Sequence, residues 1–130
     1  MRVLVGYDGS ENARRALVHA ADLVGRGGSV DVIHVISAQP VSASVDALGN
    51  ERRRQDKLLR EARMLLDERH VQMTAIRAVG DPATEIRASA DGIGAGIIVV
   101  GKGSGLRRVI HGSVSTRLVR QAPCDVLVVH

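Results

Sequence analysis

Five short apolar runs alternate with stretches of helical period along this chain, and that alternation narrows the fold more than any single motif. Val3-Leu4-Val5, Val30 to Ile36, Val71 to Val79, Ile97 to Val100 and Val126 to Val129 are rich in β-branched residues and read as strands. Between them Ala13, Ala16, Leu17, Ala20 and Val24 recur at helical spacing. So do Leu58, Leu59, Ala62, Leu65 and Leu66, then Ile86, Ala90 and Ile93, and finally Val114 and Leu118. Gly25 and Gly27-Gly28 stop the first helix, while Asp81-Pro82 opens the third as N-cap and first helical position. Residues 37–50 carry Pro, Ser and Gly without a period and read as a mobile loop, with the second helix running from about Glu51. The order βαβαβαβαβ predicts one α/β domain over residues 1–130. Its form is an open five-stranded parallel sheet, order 3-2-1-4-5, with helices on both faces.

Composition agrees with that architecture. Phe and Trp are absent and Tyr7 is the single aromatic, so the core must be Val, Ile, Leu and Ala, the filling of a helix-covered parallel sheet. The same lack argues against a single-stranded nucleic-acid site, which stacks bases on rings. Net charge is +4, much of it in Arg52-Arg53-Arg54 and Arg107-Arg108, which suit a polyanion or a solvated face; the first cluster reads rather as a solvated helix face, while Arg107-Arg108, inside a glycine-rich loop, fits either. A lone Cys124 excludes an internal disulfide, points to a reducing compartment and reads as a buried thiol. No charged-then-apolar leader and no apolar run of membrane-spanning length is present, which predicts a soluble cytoplasmic protein with no membrane partner.

In the order 3-2-1-4-5, strands one and four flank the topological switch, where ligands bind beyond the strands' carboxyl ends. Two glycine-bearing bends follow those two strands: Gly6-Tyr7-Asp8-Gly9-Ser10 and Gly101-Lys102-Gly103-Ser104-Gly105. Three glycines in five residues exceed what a strand-to-helix turn needs, and without a Cβ the backbone N–H groups can approach a ligand closely. Gly112-Ser113 at the start of the last helix adds unpaired donors and the positive end of the helix dipole, so the loop is a candidate cradle for the phosphates of a nucleotide. It is neither a Walker loop, since Lys102 is not followed by Ser or Thr in a Gly-x4-Gly-Lys frame, nor a Rossmann fingerprint, whose second glycine gap is wider.

Asp8 ends strand one at this crevice. A carboxylate there accepts from an adenine amino group or ribose hydroxyls, or helps hold a metal on phosphates; equally, it caps the first helix with Ser10. Ser113 and Ser115 suit an N-cap and a helix-surface hydroxyl, or donors to phosphate oxygens. Val35 suits an adenine wall or plain core packing. The histidines are scattered: His34 falls in a strand, His70 at a helix end and His111 beside Gly112, with no metal-ligand spacing and no nucleophile–base–acid constellation. An adenylating enzyme on a related fold would show a His-rich or Ser-Gly-Gly phosphate motif, and neither occurs.

Several blocks in order resemble a universal stress protein domain. They are Val5-Gly6-Tyr7-Asp8-Gly9-Ser10 with Arg15-Ala16-Leu17, Ile33-His34-Val35, Val79-Gly80-Asp81-Pro82-Ala83, Ile98-Val99-Val100-Gly101, Gly105-Leu106-Arg107-Arg108, Gly112-Ser113-Val114-Ser115, and Ala122-Pro123-Cys124-Asp125 leading into Val126 to Val129. The resemblance implies a single-domain member that forms a homodimer through its last strand and binds ATP, AMP or another adenine nucleotide with Mg²⁺. It further implies regulation of a stress response through a protein partner, with at most slow hydrolysis. In the ATP-binding branch the pattern is Gly-x2-Gly-x9-Gly-Ser/Thr. Gly101 then matches its first glycine, Gly112-Ser113 its last pair, Asp8 the aspartate after strand one and Val35 the adenine contact. Gly6 and Tyr7 match the backbone contacts beside the aspartate, and Val114 and Ser115 the ribose or phosphate contacts. Val100, just before Gly101, belongs to the same site. From Gly101 to Gly112 the chain spans eleven residues where the family pattern spans thirteen, so Gly103, Gly105 or neither stands for the middle glycine. The shorter loop is compatible with a wrapped triphosphate, with a smaller nucleotide, or with a dimeric interaction module that binds none.

Overall fold

A computed structural model describes residues 1–37, 45–103 and 114–130. The elements are β1 (Val3–Gly6), α1 (Glu11–Val24), β2 (Ser29–Ser37), α2 (Val45–Glu68), β3 (Gln72–Gly80), α3 (Pro82–Ile93), β4 (Ile97–Gly101), α4 (Val114–Gln121) and β5 (Asp125–Val129). All strand pairs are parallel, in the order β3-β2-β1-β4-β5. The expected architecture is therefore the observed one.

Alternation along each strand builds two cores. Val3 and Val5 of β1, Val30 and Val32 of β2 and Val99 of β4 pack under α1 and α2, with Ala16, Leu17, Leu59, Ala62 and Leu66. Leu4, Ile33, Ile98 and Val100 turn to the other face and pack under α3 and α4, with Ile86, Ala90 and Leu118. Both faces of the central strands are dry, so these strands read as continuous apolar runs rather than alternating ones. Arg2 pins the start of β1 to β2 through the nearly buried Asp31 at 2.9 Å. Cys124 is half-buried against the second core, and burial pushes its thiol up from the usual range. No helix among the described residues is long and apolar enough to cross a membrane.

One boundary departs from the sequence reading. Residues 45–50 are not loop but the first turns of α2, which begins six residues before Glu51. Gly49 lowers local helix propensity by about 1 kcal/mol relative to Ala, and the segment lacks an apolar period. The helix nonetheless continues through it, with Asp46 in the first turn where the helix dipole favours a carboxylate, and with an Arg53-to-Asn50 side-chain hydrogen bond one turn apart.

Candidate functional site

The register sets the site. Gly6 lies beside Ile33 on one side and Val100 on the other, so β1 ends one residue short of β4 and four short of β2, which stands as a wall beside the end of β1. The bends leaving β1 and β4 open onto one cleft at the sheet's carboxyl edge, lined by Gly6, Tyr7 and Asp8 from the first and Gly101 and Gly103 from the second. Ile33, Val35, Pro82, Ile86, Val100 and Val114 supply apolar walls. Gly6 keeps the floor open: a Cβ there would come within 3.0 Å of both Ile86 and Val100. A cleft of this kind suits a flat apolar base with a few polar groups at its rim.

Of the residues expected at the site, Gly6, Tyr7, Asp8, Val35, Val100, Gly101, Gly103 and Val114 converge here. Ser115, one residue further, is buried on α4 and does not line the cleft. Gly105, Gly112 and Ser113 lie outside the described residues, as do Arg107, Arg108 and His111.

The helix cap and the rim carboxylate are separate groups. Ser10 is the N-cap of α1, its Oγ accepting from the Ala13 amide at 3.1 Å. Asp8 holds the bend one step earlier, Oδ1 accepting from the Ser10 amide at 2.9 Å, and its carboxylate stays exposed at the cleft. Some backbone donors of the first bend and of the helix that follows it are already engaged within the chain. The Tyr7 amide donates to Ile33 O at 2.9 Å, and those of Ser10 and Ala13 are taken as described. In the second bend Lys102 N donates to Val129 O at 2.7 Å. The Tyr7 ring belongs to the core beneath α1 and α2, and burial pushes its phenol up while Arg14 beside it acts the other way.

Three side chains escape a sequence reading. His34 is buried in β2 and lines the cleft. Gln55, inside the basic run of α2, is 2% exposed, and its Nε2 donates to His34 O at 2.9 Å and Ala78 O at 3.2 Å. The same nitrogen stands 3.1 Å from His34 Nδ1, a third neighbour that can only share one of its two protons, and does so when the ring carries its own proton on Nε2. Arg54, beside it, is exposed, as a solvated helix face requires, and also lines the cleft. The signal for Gln55 was present: it stands three and four residues before Leu58 and Leu59, on the buried stripe.

On the far side, Asp81 caps α3 by accepting from Thr84 N at 3.0 Å and Thr84 Oγ1 at 2.7 Å, and Arg117 of α4 donates to it at 2.8 Å. The Arg117 guanidinium first, then Thr84, holds the Asp81 carboxyl down at about 2. This contact ties α4 to the cleft wall at Pro82. A folded value below the unfolded 3.8 means the contribution is present above pH 4 and lost as pH falls toward 2. Asp81→Ala is expected to cost about 1 kcal/mol near neutrality. In urea unfolding the gap between wild type and variant should close between pH 4 and pH 2, and a gap constant with pH would contradict the assignment.

The family model for the universal stress protein family matches residues 1–130. Universal stress protein YxiE of Bacillus subtilis is 32% identical, the alignment covering 98% of this chain and 97% of that one. Among solved structures, UspA from Lactobacillus plantarum superposes with a TM-score of 0.85 at 20% identity, covering 100% and 97% of the two chains, a likeness of fold. A universal stress protein crystallised in complex with cAMP superposes with a TM-score of 0.75 at 25% identity, covering 100% and 97%. Matched along its whole length by family model, by a curated relative and by its sheet order, the chain belongs to the universal stress protein family.

Proposed function

We propose that this chain is a stress-response regulator that binds an adenine nucleotide in the cleft between β1 and β4. The observation that carries the reading is convergence. Two glycine-bearing bends, the Asp8 carboxylate and a set of apolar walls meet at the topological switch of a parallel sheet. A neighbour of the same fold at 25% identity was crystallised with cAMP, which supports an adenine nucleotide as the ligand class. In this reading Val35 and Ile86 sandwich the base, Asp8 accepts from ribose hydroxyls, and the phosphates run toward Gly101 and Gly103. ATP with Mg²⁺ is the fuller form of the proposal. The metal would ride on the phosphates, with the Asp8 carboxylate at the rim beside it.

Titration calorimetry with ATP, AMP and cAMP, with and without Mg²⁺, tests it. Heat saturating at micromolar to low-millimolar nucleotide is the expected result. No heat from any of them at several millimolar overturns it and favours an interaction module in which β5, the edge strand of the sheet, pairs with a second copy.

A further inference from the structure

We infer that Arg54 reads the charge of the bound ligand, its guanidinium pairing with a phosphate oxygen, so that this one side chain separates nucleotides from nucleosides. The inference rests on the adenine-nucleotide reading above and adds to it the group that makes phosphate matter.

An anion needs donors or a cation, and among the described residues the amides of Tyr7, Ser10, Ala13 and Lys102 already serve acceptors of the chain itself. Asp8 at the rim repels a phosphate. Among the described lining residues, Arg54 is the one Arg or Lys. Three other guanidiniums, by contrast, have partners within the protein: Arg53 pairs with Asn50 on the same helix, Arg77 with Asp56 at 2.8 Å, and Arg117 with Asp81 at 2.8 Å. Arg54 has no ion pair or hydrogen bond with any described residue.

Its aim is built into the fold. Gln55 anchors this turn of α2 to the carboxyl ends of β2 and β3 through His34 O and Ala78 O. The two bonds fix the rotation of the helix about its axis, and the residue before Gln55 is thereby held at the cleft mouth. A guanidinium there meets a phosphate with paired N–H donors and keeps its charge at any working pH.

Calorimetric titration of the full chain with AMP and with adenosine, on wild type, Arg54→Gln and Arg52→Gln, tests the inference. Arg52 is exposed on the same helix and does not line the cleft. Arg54→Gln is expected to weaken AMP about tenfold, the order for one charge-assisted contact, and adenosine by less than twofold. Arg52→Gln is expected to leave both unchanged. Arg54→Lys should recover part of the AMP affinity. The inference is overturned if Arg54→Gln leaves AMP within twofold of wild type, or weakens AMP and adenosine alike. Both of those outcomes leave nucleotide binding standing; a wild type that binds neither compound removes the binding reading itself and this inference with it.

Discussion

Gly101→Ala is expected to destabilise the protein by about 2–3 kcal/mol, the upper part of the range for an overpacked site. A methyl group on Gly101 would lie 2.5 Å from the carbonyl carbon of Asn12, 2.7 Å from the Ala13 nitrogen and 2.8 Å from Asn12 Cβ. Two of these are backbone atoms in the first turn of α1, and no rotamer change moves them. That turn is also held to the second bend by Asn12 Nδ2 donating to Lys102 O at 3.0 Å, so relief requires α1 to back away from β4 along a buried face. Gly94→Ala separates the causes. Gly94, past the end of α3, has φ 67° and ψ 40° and nothing within 4 Å of a Cβ, so Ala there carries only the left-handed backbone cost, about 1 kcal/mol. Urea unfolding reads both variants, with a midpoint shift at constant slope marking a change in stability alone. A Gly101→Ala midpoint no lower than that of Gly94→Ala would show that the approach of α1 to β4 is soft.

The same glycine shows where reading the sequence succeeds and where it stops. Gly101 stood out as a residue whose missing Cβ lets a ligand in. It does line the cleft, but what its bare backbone demonstrably accommodates is α1. The sheet order was legible because strand and helix periods alternate cleanly and right-handed crossovers leave few topologies. The cleft's place followed from that order, and Gly6, Asp8 and Val35 with it. The start of α2 was not legible, since Gly49 and the polar residues around it carry no period, and a long helix carries weak turns that would not form alone. Nor could the sequence show that the Tyr7 amide answers Ile33 O, because that bond depends on the register of β1 against β2. Arg54 was hidden by its company: three consecutive arginines look equally solvated until a neighbour fixes the helix rotation.

That neighbour gives the largest expected effect. Gln55→Glu, an isosteric exchange of one NH2 for oxygen, is expected to cost about 3–5 kcal/mol at pH 7, the range for an uncompensated buried charge. The wild-type Nε2 donates to two carbonyl oxygens at 2.9 and 3.2 Å on a side chain 2% exposed. A carboxylate oxygen in its place faces both carbonyls with no proton between them. A proton relieves it in one of two places: on the carboxyl, which then donates to a carbonyl, or on His34 Nδ1, 3.1 Å from the replaced nitrogen, which then donates to the carboxylate; both are favoured by acid. The folded variant therefore holds its proton more tightly than the unfolded chain, whose glutamate titrates near about 4.3. With the folded value raised, the protonated form's stability is fully present below the unfolded value and is lost as pH rises through the folded one. The deficit relative to wild type should shrink on acidification from pH 7 toward pH 4, a window that ends above the range in which the Asp81 contact is lost. Gln55→Leu, which removes the donor without adding an acceptor, should cost less and show no such slope. Urea midpoints for both variants between pH 4 and pH 8 decide it: a Gln55→Glu deficit that is flat with pH, or no larger than that of Gln55→Leu, would mean the two strand ends do not require a donor from α2, and the rotation that brings Arg54 to the cleft would need another cause.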